Sequence, residues 1–209
     1  MRKKNITIIN YGLGNIYSIK NALKKLDCNV SFSNNKNKIL KSDGLILPGV
    51  GSFRKGMAEI KKRKLEETIN QFALSNKPLL GICLGMQLLL NTSTEFGFSK
   101  GLGLIDGKVE KLSNKNNIKL PNINWLNLKK KKYNNKNILN YINNRDYFYF
   151  VHSFACKIKN EKDIISYSEY YNNKFVSVFK HKNIIGCQFH PEKSSLSGIK
   201  FYKNFIKLC

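Results

Sequence analysis

The sequence predicts an α/β fold in which a mostly parallel central sheet carries helices on both faces and is extended by antiparallel strands. Three observations support this. Short apolar runs alternate with helically spaced apolar residues as far as Cys83. Two of those runs end at glycine-rich turns, residues 11–15 and 48–51. Beyond residue 100 the chain becomes dense in β-branched and aromatic runs joined by short polar connections.

The elements follow in order. Residues 6–10 read as a strand passing at once into Tyr11-Gly12-Leu13-Gly14-Asn15. Ile16, Ile19, Ala22, Leu23 and Leu26 then recur at helical spacing. Residues 29–33 are a second strand candidate, followed by a polar stretch, and 44–47 are a third, stopped by Pro48-Gly49-Val50-Gly51. Helical spacing resumes over 52–75, and Lys77-Pro78 leads into strand 79–83. Strands joined by helical crossovers run parallel. Residues 102–112, 147–157, 164–170, 175–180 and 184–189 also read as strands, and their short connections suit antiparallel pairing. A closing helix over 195–207 turns Ile199, Phe201, Tyr202, Phe205 and Ile206 inward. Residues 115–144 are rich in Lys and Asn, are interrupted by Pro121, and show no regular pattern. No repeat or linker divides the chain, so residues 1–209 are read as one domain.

Composition narrows the function classes. Hydrophobic residues make up 42% of the chain, which suits a globular core. No apolar stretch approaches the ~18 residues of a membrane span, and the basic start lacks the long apolar region of a signal peptide. A cytoplasmic, membrane-free protein is expected. The five cysteines are scattered, odd in number and without C-x-x-C spacing, which argues against a disulfide framework or a metal site. The net charge of +24 raises the question of nucleic acid. Its lysines are spread along the chain among Asn and Ile, with no RNA-binding aromatic signature or zinc-finger spacing. A solvated basic surface with salt-sensitive attraction to polyanions is the expectation, and no specific nucleic-acid partner is assigned.

Chemistry is concentrated in three segments. In Leu80-Gly81-Ile82-Cys83-Leu84-Gly85-Met86-Gln87 an apolar strand runs into Cys83 and a helical pattern follows. Glycines two residues before and two after Cys83 reproduce the nucleophile elbow, with cysteine in the serine's place. A thiol at a helix N-terminus faces the positive end of the dipole, which favours the thiolate. Gln87, four residues on, lies above Cys83 on the same helical face. Taken alone, the octapeptide also admits a buried structural cysteine at a strand end. In Gln188-Phe189-His190-Pro191-Glu192, residues two apart project to one side, so Glu192 reaches His190 and leaves one ring nitrogen free as a base. A surface His-Pro-Glu turn is the competing interpretation until it is paired with Cys83 as a triad. Pro48-Gly49-Val50-Gly51-Ser52-Phe53 ends another strand, where exposed backbone N–H groups suit an oxyanion. Gly12-x-Gly14 lacks the third glycine of a dinucleotide motif, position 17 being tyrosine. His152 suits either a half-buried core or a site wall, and His181 reads as a surface residue.

Taken in order, these segments resemble the class I (triad) glutamine amidotransferases, and within them the glutaminase subunits of imidazole glycerol phosphate synthase. The narrower likeness rests on Tyr11-Gly12-Leu13-Gly14-Asn15, on Gly49-Val50-Gly51-Ser52-Phe53 and on Met86 within the elbow, while Phe150-Val151-His152-Ser153 adds to the resemblance as a whole. It implies that Cys83 attacks the side-chain amide of L-glutamine, with His190 and Glu192 as the activating pair. Backbone N–H groups of Leu84 and of the Val50–Gly51 turn would hold the oxyanion, and Gly49, Gln87, Glu95 and Ser153 would belong to the substrate-binding set. Tyr149 and Lys193 would face a (β/α)8-barrel cyclase, the partner in a heterodimer that receives the ammonia. The products there are imidazole glycerol phosphate and an aminoimidazole carboxamide nucleotide of histidine biosynthesis. No metal or organic cofactor is implied. One segment departs from the family: Pro121-Asn122-Ile123-Asn124-Trp125-Leu126 stands where Pro-His-x-Gly-Trp-Asn is usual. That leaves open an alternative, ammonia supply to a synthase amidating a surface-polysaccharide sugar. A non-catalytic binding module on the same fold would require an inert Cys83.

Overall fold

The computed structural model describes residues 2–113, 118–131 and 137–209. Its first half follows the expected alternation: β1 (Lys4–Ile9), α1 (Ile16–Leu23), β2 (Cys28–Ser33), α2 (Lys36–Lys41), β3 (Gly44–Leu47), α3 (Phe53–Lys62), α4 (Glu66–Leu74), β4 (Leu79–Ile82) and α5 (Leu84–Leu88). The polar stretch before β3 turns out to contain α2, capped by the Asn35 side chain, which accepts from the Lys38 N–H. Ile39 is its one buried residue, so there was no apolar period to read. The helical pattern over 52–75 is two helices, separated where Lys64 takes a φ of 55°.

The second half contains β5 (Leu90–Ser93), β6 (Ser99–Lys100), β7 (Ile105–Lys111), β8 (Asn122–Asn127), β9 (Lys129–Lys130), β10 (Tyr147–His152), β11 (Phe154–Ile158), β12 (Ile164–Tyr170), β13 (Asn173–His181), β14 (Ile184–Cys187) and α6 (Ser195–Leu208). Two strands, β8 and β9, lie in the stretch that shows no pattern in sequence; within it, residues 115–117 and 132–136 lie outside the described residues. The usual polarity of β8 is inverted: Asn122 is buried while Ile123 and Trp125 are 57% and 47% exposed. The expected strand 147–157 divides at Ser153, and its halves join different sheets.

The main sheet has the order β2-β1-β3-β4-β14-β13-β12-β9. Neighbours from β2 to β14 pair in parallel, and β14-β13-β12-β9 continue antiparallel, the extension expected from the short connections. Strand β10 pairs with β8, and β11-β7-β5-β6 form a third sheet. Strand alternation divides the core into two. Ile6, Ile8, Ile46, Leu80 and Ile82 pack with Ile19 and Leu23 of α1 and Phe201, Tyr202 and Phe205 of α6. Leu45, Leu47 and Leu79 face the other way, onto Ile39 of α2, Phe53 and Ile60 of α3 and Ile69 and Phe72 of α4. Both faces of β3, β4 and β14 are therefore buried, which explains their near-continuous apolar runs, whereas the edge strand β2 is largely exposed. Among the described residues no helix is long and apolar enough to cross a membrane.

Candidate active site

Three neighbouring strands assemble the site. β3, β4 and β14 lie side by side, with Leu47 opposite Gly81 and Cys187 opposite Ile82. The turn after Leu47, Cys83 after Ile82 and Gln188–His190 after Cys187 therefore leave the sheet at one edge. The crevice beyond the carboxyl ends of parallel strands is where α/β sheets place their ligands.

Cys83 occupies the elbow with φ 51° and ψ −109°, a conformation rare for a side chain with a Cβ. Holding it costs about 1–3 kcal/mol, which the surroundings must supply. Its N–H donates to the Cys187 carbonyl at 2.8 Å. The flanking glycines are required by close approach. A Cβ on Gly85 would collide with the Leu47 carbonyl, and one on Gly81 would lie 2.7 Å from the Gly85 oxygen. Gly49 is needed for the same reason: a Cβ there would lie 2.7 Å from the Tyr11 hydroxyl and 2.8 Å from Leu84 Cβ. Gly49 thus sits behind the cavity wall, while the Tyr11 hydroxyl braces the turn by donating to the Pro48 carbonyl at 2.8 Å.

His190 Nδ1 lies 2.8 Å from Glu192 Oε1, with side chains 6% and 1% exposed. Its main-chain N–H donates to the Tyr149 carbonyl at 2.9 Å. The other ring nitrogen, Nε2, is buried and has no hydrogen-bond partner among the described residues. Burial opposes the imidazolium, but the negative charge of a Cys83 thiolate and the hydrogen-bonded Glu192 outweigh it, raising the His190 pKa well above the usual imidazole range.

Cys83 and His190 open onto one cavity of about 270 Å³. Val50, Gly51, Leu84, Gln87, Glu95 and Ser153, all singled out from sequence, line it as well. Glu95 also ties the wall together, because its Oε2 accepts the Phe53 N–H at 2.6 Å at the start of α3. Val151, His152 and Phe154 complete the lining. Tyr149 and Lys193 stand outside the cavity: Tyr149 meets Trp125 edge-on at 5.8 Å, and Lys193 is exposed just beyond Glu192. Among the described residues no group of three or more His, Cys, Asp or Glu side chains converges to hold a metal ion. His181 is half-buried and lies 3.0 Å from Asp163 rather than standing free on the surface.

His152 combines both roles that its sequence context allows, being buried and part of the wall. Its Nδ1 lies 2.9 Å from the Phe154 carbonyl and its Nε2 lies 3.1 Å from the Asn122 amide nitrogen. A carbonyl only accepts, so Nδ1 carries the proton and Nε2 accepts from Asn122. Burial lowers the His152 pKa to about 4; the Phe154 carbonyl opposes the shift and the positive His190 adds to it. Because the folded value lies below the unfolded one, the unfolded chain binds the extra proton first as pH falls. His152 should therefore contribute full stability above pH ~6.5 and lose about 3 kcal/mol as pH drops toward 4. Urea denaturation across that window, in the intact chain and in His152→Gln, checks this; an equal slope in both would exclude His152 as its source.

Sequence reasoning missed three contributors to this region. Gln188 touches the sulfur, Asn122 orients His152, and the Phe154 carbonyl joins them. Gln188 and Asn122 act through partners distant in sequence, and the Phe154 carbonyl links the nearby His152 to the distant Gln87, so no local spacing reveals the set.

Comparison with known proteins bears on the lineage and the fold. The Glutamine amidotransferase class-I family model matches residues 7–208. Imidazole glycerol phosphate synthase subunit HisH 2 of Methanococcus maripaludis is 45% identical, over 97% of this chain and 98% of its own length. The HisH subunit of Pelagibacter ubique is 41% identical, over 98% of this chain and 100% of its own. Among solved structures, PurLQS of Thermotoga maritima superposes with a TM-score of 0.76 at 19% identity, covering 99% of each chain. A putative GMP synthase protein of Thermoplasma acidophilum gives 0.72 at 20% identity, covering 100% of this chain and 95% of its own. The structural likenesses speak for the fold, and the sequence matches, which run almost from end to end, speak for the lineage: the chain belongs to the class I glutamine amidotransferases.

Proposed function

We propose that this chain is the glutaminase subunit of an imidazole glycerol phosphate synthase, acting as one amidotransferase domain over residues 1–209. The reading is supported above all by the His190–Glu192 pair, in which His190 keeps Nε2 unpartnered among the described residues and lines the same cavity as the elbow cysteine. In it, Cys83 attacks the side-chain carbon of L-glutamine while His190 holds the proton. Backbone N–H groups of Leu84 and the Val50–Gly51 turn receive the oxyanion, and Gln87, Glu95 and Ser153 hold the substrate. Collapse of the tetrahedral intermediate transfers the His190 proton to departing ammonia and leaves a glutamyl thioester. Water then attacks the thioester, giving up a proton to His190, and glutamate leaves as the Cys83–His190 pair is restored.

The ammonia passes to a (β/α)8-barrel cyclase in a cytoplasmic heterodimer. Exposed Ile123, Trp125 and Tyr147, next to Tyr149 and Lys193, offer an aromatic and apolar face suited to that docking. The alternative, ammonia supply for sugar amidation, is not favoured. Its motive was the altered 122–126 segment, and relatives at 40–45% identity over nearly the whole chain carry the imidazole glycerol phosphate synthase description. Purified cyclase and its nucleotide substrate should raise glutamine hydrolysis and yield imidazole glycerol phosphate in a coupled assay. Hydrolysis that stays indifferent to the cyclase and its nucleotide would point to another synthase.

A further inference from the structure

We propose that Gln188 is a positioning residue for the nucleophile: its side-chain amide donates to the Cys83 sulfur and holds the thiolate in place for attack. The inference deepens the glutaminase reading and rests on it.

Gln188 Nε2 lies 3.6 Å from Cys83 Sγ, and both side chains are buried. At the other end of the amide, Oε1 accepts from Gln87 Nε2 at 3.1 Å. The same Gln87 nitrogen donates to the Phe154 carbonyl at 3.0 Å. Amide oxygen and nitrogen are interchangeable in shape, so the direction of this chain must come from a group that cannot be reversed. The Phe154 carbonyl is that group, because it has no hydrogen to give. It obliges Gln87 to present its NH2, whose two hydrogens serve Phe154 and Gln188 Oε1. Gln188 must then turn its own NH2 toward the sulfur. Turning both amides over would set the Gln87 oxygen against the Phe154 oxygen with no proton between them.

The second lone pair of Phe154 is taken by His152 Nδ1 at 2.9 Å, and the Asn122 amide nitrogen lies 3.1 Å from the other side of that ring. The chain is thus fixed at both ends, and the main-chain N–H of Gln188 is held by the Ser177 carbonyl at 2.9 Å. Of the neighbours along the sulfur, the Val151 carbonyl, at 4.0 Å, accepts only from a thiol. The Gln188 N–H, by contrast, strengthens when the sulfur is charged, as hydrogen bonds to ionised acceptors do. The amide therefore selects the thiolate over the thiol as well as fixing its place.

The test is iodoacetamide alkylation of Cys83 against pH, followed in the full-length chain by mass spectrometry of the peptide carrying that residue. Gln188→Met keeps the length of the side chain and removes the donor. The pH of half-maximal alkylation should rise by about one unit, as expected when one charge-assisted hydrogen bond is lost. Turnover of glutamine should fall about tenfold or more, with KM changing far less. Gln188→Glu, which places an acceptor against the sulfur, should move the midpoint further in the same direction, and it carries the test if the methionine variant does not fold. A folded variant whose alkylation profile superimposes on that of the intact chain overturns the proposal. A shifted profile in a chain that hydrolyses no glutamine with any synthase would instead remove the glutaminase reading and leave the role of Gln188 standing.

Discussion

Cys83→Ala is expected to lower glutamine hydrolysis by more than about 10,000-fold, because without the sulfur no thioester forms and only the cavity's binding and dipoles remain. The same residue should be the single site modified by a diazo ketone shaped like glutamine. Four features favour that selectivity. Burial raises the thiols of Cys28, Cys156, Cys187 and Cys209 above their ordinary range, keeping them protonated. Cys156 and Cys187 are also inaccessible. None of the four lines the cavity, whereas Cys83 does. Only Cys83 has an imidazole among the groups that face it there. Peptide mapping after labelling decides the matter. Modification at another cysteine, or hydrolysis that survives the alanine substitution, would take Cys83 out of the mechanism.

His190→Asn should be nearly as damaging, since nucleophile and base act as a unit. The double variant Cys83→Ala/His190→Asn should then be scarcely slower than Cys83→Ala alone, and additive losses would refute the coupling. Glu192→Gln should cost roughly 100- to 10,000-fold. It removes the buried charge that supports the imidazolium, and it lets the amide accept or donate, so the ring tautomer is no longer set. All three single variants should unfold cooperatively under denaturant, His190→Asn included, because the elbow is braced by backbone contacts that these side chains do not make. A His190 variant with the hydrolysis rate of the intact chain would exclude it as the base.

Much of the site was legible because its parts are local. Cys83 with its flanking glycines, and His190 with Glu192, are each encoded within a few residues, where strand and turn geometry fix the spacing. Parallel strands buried on both faces announce themselves as apolar runs, so β1, β3 and β4 were readable from composition alone. β8 was not, because its inward residue is a polar Asn122 and its outward ones are Ile123 and Trp125, the reverse of the usual pattern. α2 was missed because it buries one side chain, and the break at Ser153 because both flanking strands are equally apolar.

By itself the sequence determined that a cysteine stands on a strained elbow and that a histidine carries its own carboxylate. The tertiary structure alone decided that they meet. Strand order is a long-range choice, and it is the placing of β4 between β3 and β14 that brings the glycine turn, the sulfur and the imidazole to one edge. It alone also decided the polarity of the buried amides. Hydrogen-bond direction between Phe154, Gln87, Gln188 and Cys83 depends on atoms 67 to 105 positions apart, which no local pattern can register.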